Sequence, residues 1–324
     1  MLLGFDIGGT KCAVLIGRQT DNEIEIIEKK AVQTDKPVYE MIEYLFAIAE
    51  DLMNRHAHNG KTLNGIGISC GGPLSSKKGL ILSPPNLIGW DNVPIVKMAR
   101  ERFNQPVLLQ NDANACAVAE WKYGAGKGYD NLMFLTFGTG MGAGLILNGQ
   151  LYSGISDLAG EVGHIRLADM GPVGFGKAGS FEGFCSGGGI AQIGQIKARE
   201  MLQIGKHVAY CSNIAELNTI TAKSIAEAAF KGDETAKEVY RTCGEYLGKA
   251  LSLFIDILNP ELIILGSIYG RAKELLEPAM MEIIHREAYF ESAEACKIVP
   301  AGLEESIGDI AALSLALLSR ELKK

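Results

Sequence analysis

The sequence has 324 residues, enough for two domains at about 150 residues each, and it carries a net charge of −7 with 47% apolar and 21% charged residues. That composition excludes a disordered chain, and the acidic balance excludes a nucleic-acid binder that works by neutralising phosphates. No run approaches the roughly 18 apolar residues of a membrane span, and Met1-Leu2-Leu3-Gly4-Phe5-Asp6 has no basic region ahead of its apolar one, so a cytoplasmic protein without a signal peptide or membrane partner is expected. The seven dispersed cysteines (Cys12, Cys70, Cys116, Cys185, Cys211, Cys243, Cys296) include no C-x-x-C pair and predict reduced thiols. Glycine is in excess at 39 residues, which signals many positions of positive φ or close approach to a ligand.

The chain opens with two apolar runs, Leu2–Ile7 and Cys12–Gly17, joined by Gly8-Gly9-Thr10-Lys11, the pattern of a β-hairpin. A third strand is expected at Ile24–Gln33 and an amphipathic helix at Tyr39–Ala57. Gly65–Ser69 reads as a buried strand, Ile95–Phe103 as a helix, and Pro106–Leu109 as a strand ending on Gln110-Asn111-Asp112. The same grammar then repeats. Asn131–Phe137 is a strand, Gly138-Thr139-Gly140-Met141-Gly142 a glycine turn, Ala143–Leu147 a returning strand, and Asn148-Gly149 a tight hairpin turn. Helical patterns run from Gly188 to Leu258 with a break near Asn213–Leu217, followed by a buried strand at Leu262–Gly266 and a last amphipathic helix at Gly308–Leu322. Mixed elements in two similarly built halves predict an α/β fold with an internal duplication.

The two glycine turns carry the chemistry. Consecutive glycines let main-chain N–H groups converge on an anion with no Cβ in the way, and Thr10 and Thr139 add hydroxyl donors. One such turn alone is more often only a turn; two, at the starts of matching halves, fit a nucleotide polyphosphate. Asp6, at the end of the first strand, is placed to organise a hydrated Mg²⁺. Neither turn matches the Walker or Rossmann glycine pattern. Asn111-Asp112 stands where an apolar strand stops, a position equally suited to a catalytic carboxylate and to a helix N-cap. Glu161 and His164, spaced i and i+3, can share one side of a turn and hydrogen-bond a polyol. The other histidines, His56, His58, His207 and His285, read as structural.

Asp6-Ile7-Gly8-Gly9-Thr10-Lys11 resembles the first phosphate loop of the actin-like (ribonuclease H-like) ATPases. Pro84-Pro85-Asn86-Leu87-Ile88-Gly89-Trp90, Asn111-Asp112-Ala113-Asn114-Ala115, Glu161-Val162-Gly163-His164 and the Thr136–Gly144 loop together resemble the ROK family of sugar kinases and sugar-responsive repressors, from residue 1 to about 316. The resemblance implies a two-domain α/β fold with an interdomain cleft. Its expected parts are an N-terminal domain at 1–118, a larger C-terminal domain at 119–305, and a C-terminal helix at 306–324 packing back on the first. It implies that ATP and Mg²⁺ are cofactors, with Gly8, Gly9, Thr10, Lys11, Gly138, Thr139 and Gly140 on the phosphates and Gly266 beside the adenosine. In Leu265-Gly266-Ser267 the second position of a frequent glycine pair holds Ser267. Asp112 would be the base that deprotonates the sugar hydroxyl, with Asn111, Glu161, His164, Glu182, Asn86 and Gly72 on the sugar. The chain starts at the first phosphate strand with no helix-turn-helix before it, which points to the kinase branch, with a homodimer as the usual state. Glucose is the expected substrate; an N-acetylhexosamine kinase and a non-catalytic sugar-binding regulator are the alternatives.

One departure from the family pattern stands out. Aligned on Glu182, the three cysteine positions of the family's zinc motif hold Val173, Phe175 and Ser180, and Cys185 lies outside it. His164 with one off-register thiol does not make a tetrahedral site, so no structural zinc is expected. The loop 170–183 is then expected to be held by packing, through Phe175 and Phe181, or to order when sugar binds.

Overall fold

The computed structural model describes residues 1–21, 23–56 and 62–321. The chain divides into two compact units, the first made of Met1–Asp130, Gly144–Ala159 and Gly302–Lys324, the second of Asn131–Ala143 and Gly160–Ala301. These bounds differ from the domain limits read off the sequence. The helix that spans residue 118 runs unbroken to Tyr123, and a continuous helix stays with the core it packs on.

The first unit begins with β1 (Leu2–Ile7), β2 (Lys11–Gln19) and β3 (Ile24–Gln33), then α1 (Val38–His56), β4 (Ile66–Cys70), the short pair β5 (Leu74–Ser75) and β6 (Leu80–Ile81), α2 (Ile95–Phe103), β7 (Val107–Asn111) and α3 (Asp112–Tyr123). The sheet order is β3-β2-β1-β4-β7, antiparallel in the first three strands and parallel from β1 through β7. α1 lays Met41, Ile42, Leu45, Phe46, Ala49 and Leu52 on one face of this sheet, the period-3.6 stripe visible in its sequence. Phe5, Phe46 and Phe103 meet there, with Phe46 edge-on to Phe5 at 5.7 Å and to Phe103 at 5.2 Å. Each fully buried side chain of this size contributes about 2 kcal/mol. On the other face the last helix, Ile307–Glu321, descends onto glycines of the strands: a Cβ on Gly67 would collide with the Ala312 carbonyl, and one on Gly65 with that of Ala316. Glycine in a strand costs conformational freedom, and here it admits a helix backbone. Of the sequence-derived elements in this unit, Ala57 and His58, together with Leu322 of the last helix, lie outside the described residues.

The second unit opens with β8 (Leu132–Leu135). The chain then forms the hairpin β9 (Ala143–Leu147) and β10 (Gln150–Tyr152), which from Gly144 on belongs to the first unit and whose turn residues Asn148 and Gly149 both have positive φ, as an Asn-Gly turn requires. From Gly160 it continues through a 3₁₀ turn at Val162–His164, β11 (Val173–Gly174), β12 (Lys177–Ala178), α4 (Phe181–Phe184), α5 (Gly187–Gln203), a second 3₁₀ turn at Ile214–Thr219, α6 (Ala222–Phe230), α7 (Glu234–Leu258), β13 (Leu262–Leu265), α8 (Ile268–Glu287), α9 (Phe290–Ala295) and β14 (Lys297–Pro300). β8, β13 and β14 are parallel, the counterpart of the β1, β4, β7 trio. The expected break in helical pattern is the 3₁₀ turn, which Asn213 caps by accepting a hydrogen bond from the Ala215 N–H. All seven cysteines are free. No described helix is long and apolar enough to cross a membrane.

Candidate functional site

In the first unit the candidate residues gather at the C-terminal ends of the parallel strands, where ligands of open α/β sheets bind. Asp6 is next to last in β1, and the turn after it is tightened by a Gly8 N–H donating to the Lys11 carbonyl at 3.1 Å. Thr34, just past β3, clamps that turn: its hydroxyl donates to the Gly8 carbonyl at 2.7 Å and its N–H to the Thr10 carbonyl at 3.0 Å. Thr10 and Lys11 are exposed at the turn's tip. A Cβ on Gly9 would collide with the Asn86 carbonyl, so the Pro84–Trp90 segment lies directly on the glycine turn. Asn86 is exposed, and Gly72 follows β4 with open space where a side chain would be.

Asn111 and Asp112 divide the two roles open to this position. Asn111 is the N-cap of α3, its side-chain oxygen accepting from the Asn114 N–H at 2.7 Å. Asp112 is therefore the first helical residue, and its carboxylate accepts from the adjacent Ala113 N–H at 2.8 Å and from its own N–H. The Asp112 side chain is reachable by solvent yet crowded by protein atoms, and that desolvation pushes its carboxyl above the ordinary carboxylate range, the Ala113 N–H partly opposing it. Asp6 is pushed up to about 6, first by desolvation and then by repulsion from Asp112 and Asp309, with Lys29 opposing. Lys29 itself pairs with Asp309 at 2.7 Å.

Asp6, whose negative charge is made costly by burial and by the nearby Asp112 and Asp309, suits a hard divalent cation, and Mg²⁺ typically takes one or two protein carboxylates and keeps its waters. The same desolvation, with that repulsion, has a consequence for stability in metal-free protein. Folding raises the Asp6 pKa from 3.8 to about 6, so the folded state holds a proton that the unfolded state releases, and the strain is fully present above about pH 6. Asp6→Asn is expected to raise the melting temperature at pH 8 in the presence of a chelator, with the gain vanishing toward pH 4. An unchanged or lowered melting temperature at pH 8 would contradict this.

In the second unit the glycine loop after β8 is built by local hydrogen bonds. The Thr136 hydroxyl accepts from the Gly142 N–H at 3.0 Å, and the Gly138 N–H donates to the Gly140 carbonyl at 3.0 Å. Glu182, in the first turn of α4, lies across this loop, its Oε2 accepting from the Met141 N–H at 3.0 Å. A Cβ on Gly140 would sit 2.8 Å from that oxygen. The Glu161–His164 turn joins them, because Gly163 packs against both the Met141 carbonyl and the Glu182 Cβ. Glu161, His164 and Glu182 are thus assembled with Gly138–Gly140 within one unit, with Glu161 and His164 exposed.

Beside this cluster opens a cavity of about 810 Å³, with Gly138, Thr139, Gly187, Thr221, Tyr240 and Ser267 in its walls. Gly266 packs against the Thr136 carbonyl and brings the Ser267 turn to the loop. The N-terminus of α5 also faces this space: Ser186 caps it through the Gly189 N–H at 3.0 Å, and the Gly187 N–H donates to the Gly138 carbonyl at 2.8 Å. Sequence reasoning missed Thr34, Thr221, Tyr240 and the α5 N-terminus. Only the last left a signal, a cap residue followed by three glycines at Ser186–Gly189.

The loop 170–183 is fastened by several contacts. Phe181 is fully buried against Phe254, while Phe175 stays exposed, its ring edge-to-face with His164 at 5.2 Å. Of the residues aligned with the family's zinc cysteines, Val173 and Phe175 present no ligand atom, and the Ser180 hydroxyl accepts from the Gly183 N–H. Cys185 is buried and donates to the Cys243 carbonyl. Among the described residues no cluster of three or more His, Cys, Asp or Glu could hold a metal ion.

The family model described as "ROK family" matches residues 2–318. A glucokinase of Halalkalibacterium halodurans is 33% identical over 292 residues, covering 89% of this chain and 85% of its own. A xylose repressor of Caldicellulosiruptor bescii is 27% identical over 307 residues, covering 94% of this chain and 75% of its own. Among solved structures, a ROK family glucokinase from Streptomyces griseus in complex with glucose and AMPPNP superposes with a TM-score of 0.75 at 27% identity, covering 98% of this chain and 99% of that one. The chain takes the two-domain fold of the actin-like ATPases.

Proposed function

Because the chain belongs to the ROK family, whose members here include both kinases and repressors, we propose that it is an ATP-dependent sugar kinase that phosphorylates a hexose, with glucose and its 6-hydroxyl as the first choice. Phosphoryl transfer asks the protein for positioning, charge neutralisation and a base. Asp112 is that base: capping of α3 falls to Asn111, which leaves the Asp112 carboxylate outside the cap, held by local backbone N–H groups and with raised basicity, and this observation carries the proposal. It takes the proton of the hydroxyl as the oxygen bonds to the γ-phosphorus and ADP leaves.

The remaining residues bind and orient. Glu161, His164 and Glu182, with Asn111, Asn86 and Gly72, hold the sugar. The turns Gly8–Lys11 and Gly138–Gly140 hold the phosphates, and the 810 Å³ cavity beside Gly266 takes the nucleoside. Asp6 would hold a hydrated Mg²⁺, which would supply neutralisation of the phosphate charge. No zinc ligation enters the scheme. A panel of glucose, mannose, N-acetylmannosamine, N-acetylglucosamine and xylose, assayed for ADP release, tests it. Turnover confined to the N-acetylated sugars removes glucose, and sugar binding without ADP release from any of them leaves a sugar-binding regulator, the reading favoured by the repressor relative.

The rate should also depend on pH in one direction. A base acts only when ionised, and burial raises the Asp112 pKa, so kcat/KM is expected to fall as pH drops through a value above the ordinary carboxylate range of about 4. A rate flat down to about pH 4 contradicts this assignment.

A further inference from the structure

The hairpin β11–β12 is built around an anomaly. Its register pairs Gly174 with Lys177, leaving Phe175 and Gly176 as the two turn residues, both at positive φ (45° and 75°). A turn of this type favours Asn or Gly at its first position, and an aromatic residue there is strained by its Cβ. Phe175 is also 67% exposed, so it gains little from burial. A residue that stabilises the fold neither through its backbone nor through packing calls for another role, and the inference runs from such an outlier to function.

The hairpin's contacts indicate which role. The Gln192 carboxamide accepts from the Val173 N–H and donates to the Val173 carbonyl, both at 2.9 Å, holding one strand to α5. Gly174 packs so tightly on Glu182 and Gly183 that a Cβ would sit 2.8 Å from the Glu182 Cβ. The Lys177 ammonium donates to the His164 carbonyl at 2.5 Å, and the Phe175 ring meets the imidazole at 5.2 Å with an interplanar angle of 83°. One short hairpin therefore touches both Glu182 and His164.

We propose that Phe175 is a positioning residue for sugar binding: its ring fixes the rotation of the His164 imidazole and so sets affinity for the sugar. This rests on the reading of His164 as a sugar contact. An edge-to-face pair restricts a ring that is otherwise exposed, and an oriented imidazole presents its nitrogens to a hydroxyl without first losing rotational freedom. The hairpin, being held by Gln192 and Gly174, keeps its tip in place when the ring is removed.

The test compares the whole protein with Phe175→Ala, Phe175→Leu and Phe175→Tyr. Glucose binding is measured by calorimetry, with N-acetylmannosamine and xylose as further probes, and sugar and ATP kinetics are measured alongside. The Ala and Leu variants are expected to bind sugar about tenfold more weakly and to show a sugar KM raised by the same factor, with kcat and the KM for ATP within about twofold of wild type. Phe175→Tyr keeps the ring and restores both values. The His164 ring-proton resonance should lose its aromatic ring-current shift in the Ala and Leu variants and keep it in the Tyr variant. Equal sugar affinity across the four proteins overturns the proposal, as does a parallel fall in kcat, both KM values and melting temperature, which marks a merely structural residue. If the wild type binds sugar but transfers no phosphate, the kinase reading fails while the affinity series still decides the role of Phe175. If it binds none of the probes, both fail.

Discussion

Asp112→Asn is expected to lower kcat for sugar phosphorylation by on the order of 10³-fold, with sugar affinity and folding retained. The substitution keeps the hydrogen bond from the Ala113 N–H and the size of the side chain, and removes only the capacity to take a proton. Desolvation raises the Asp112 carboxyl in the wild type, so the neutral amide relieves an unfavourable charge and the variant should melt no lower than the parent. Steady-state kinetics, sugar calorimetry and a melting curve on one preparation decide this. Retained turnover in the variant removes Asp112 as the base, while lost turnover with lost sugar binding means that the side chain holds the substrate rather than activating it.

Glu120→Ala should have the largest effect on stability, on the order of 4 kcal/mol. Glu120 lies in α3, fully buried, and its carboxylate accepts three main-chain N–H groups: Ala125 at 2.8 Å and Gly302 at 3.1 Å on Oε2, and Leu303 at 2.8 Å on Oε1. Truncation leaves three donors without partners, each costing about 1–3 kcal/mol when buried. Gly124 supports the arrangement, because a Cβ there would collide with Oε2. The loss should appear as a melting temperature lower by about 10 °C, and Glu120→Gln should recover only part of it because the amide nitrogen cannot accept. A drop of less than about 2 °C in Glu120→Ala would show that these N–H groups find water instead.

Much of the first unit could be read locally. The helix Ile95–Phe103 has the same limits in sequence pattern and structure, and α1 buries the apolar stripe that its spacing announces. The β1–β2 turn and the Asn148-Gly149 turn follow from glycine chemistry confined to two or four residues. The region between Gly266 and the last helix was not legible. α8 carries Pro278 within it and a non-helical residue at Ala272, which blur the 3.6 period, and β14 offers only Lys297–Pro300, too short a run to separate from loop. Even so, α8 buries Tyr269, Leu276, Met280 and Ile284, because helix packing rather than propensity decides its conformation.

The candidate site divides along the same line. Composition, charge, the two glycine turns and the Asn111-Asp112 pair were determined by the sequence itself, since each is a property of neighbouring residues acting through the backbone they share. Which of Asn111 and Asp112 caps α3, and which keeps a carboxylate open, was decided only by how β7 delivers the chain to the helix. The tertiary structure alone set Glu182 against Met141, Thr34 against Gly8, Phe175 against His164 and Glu120 against Gly302, pairs separated by 11 to 182 residues. Hydrogen bonds and ring contacts of that span depend on where packed elements end, and no local pattern of side chains encodes that.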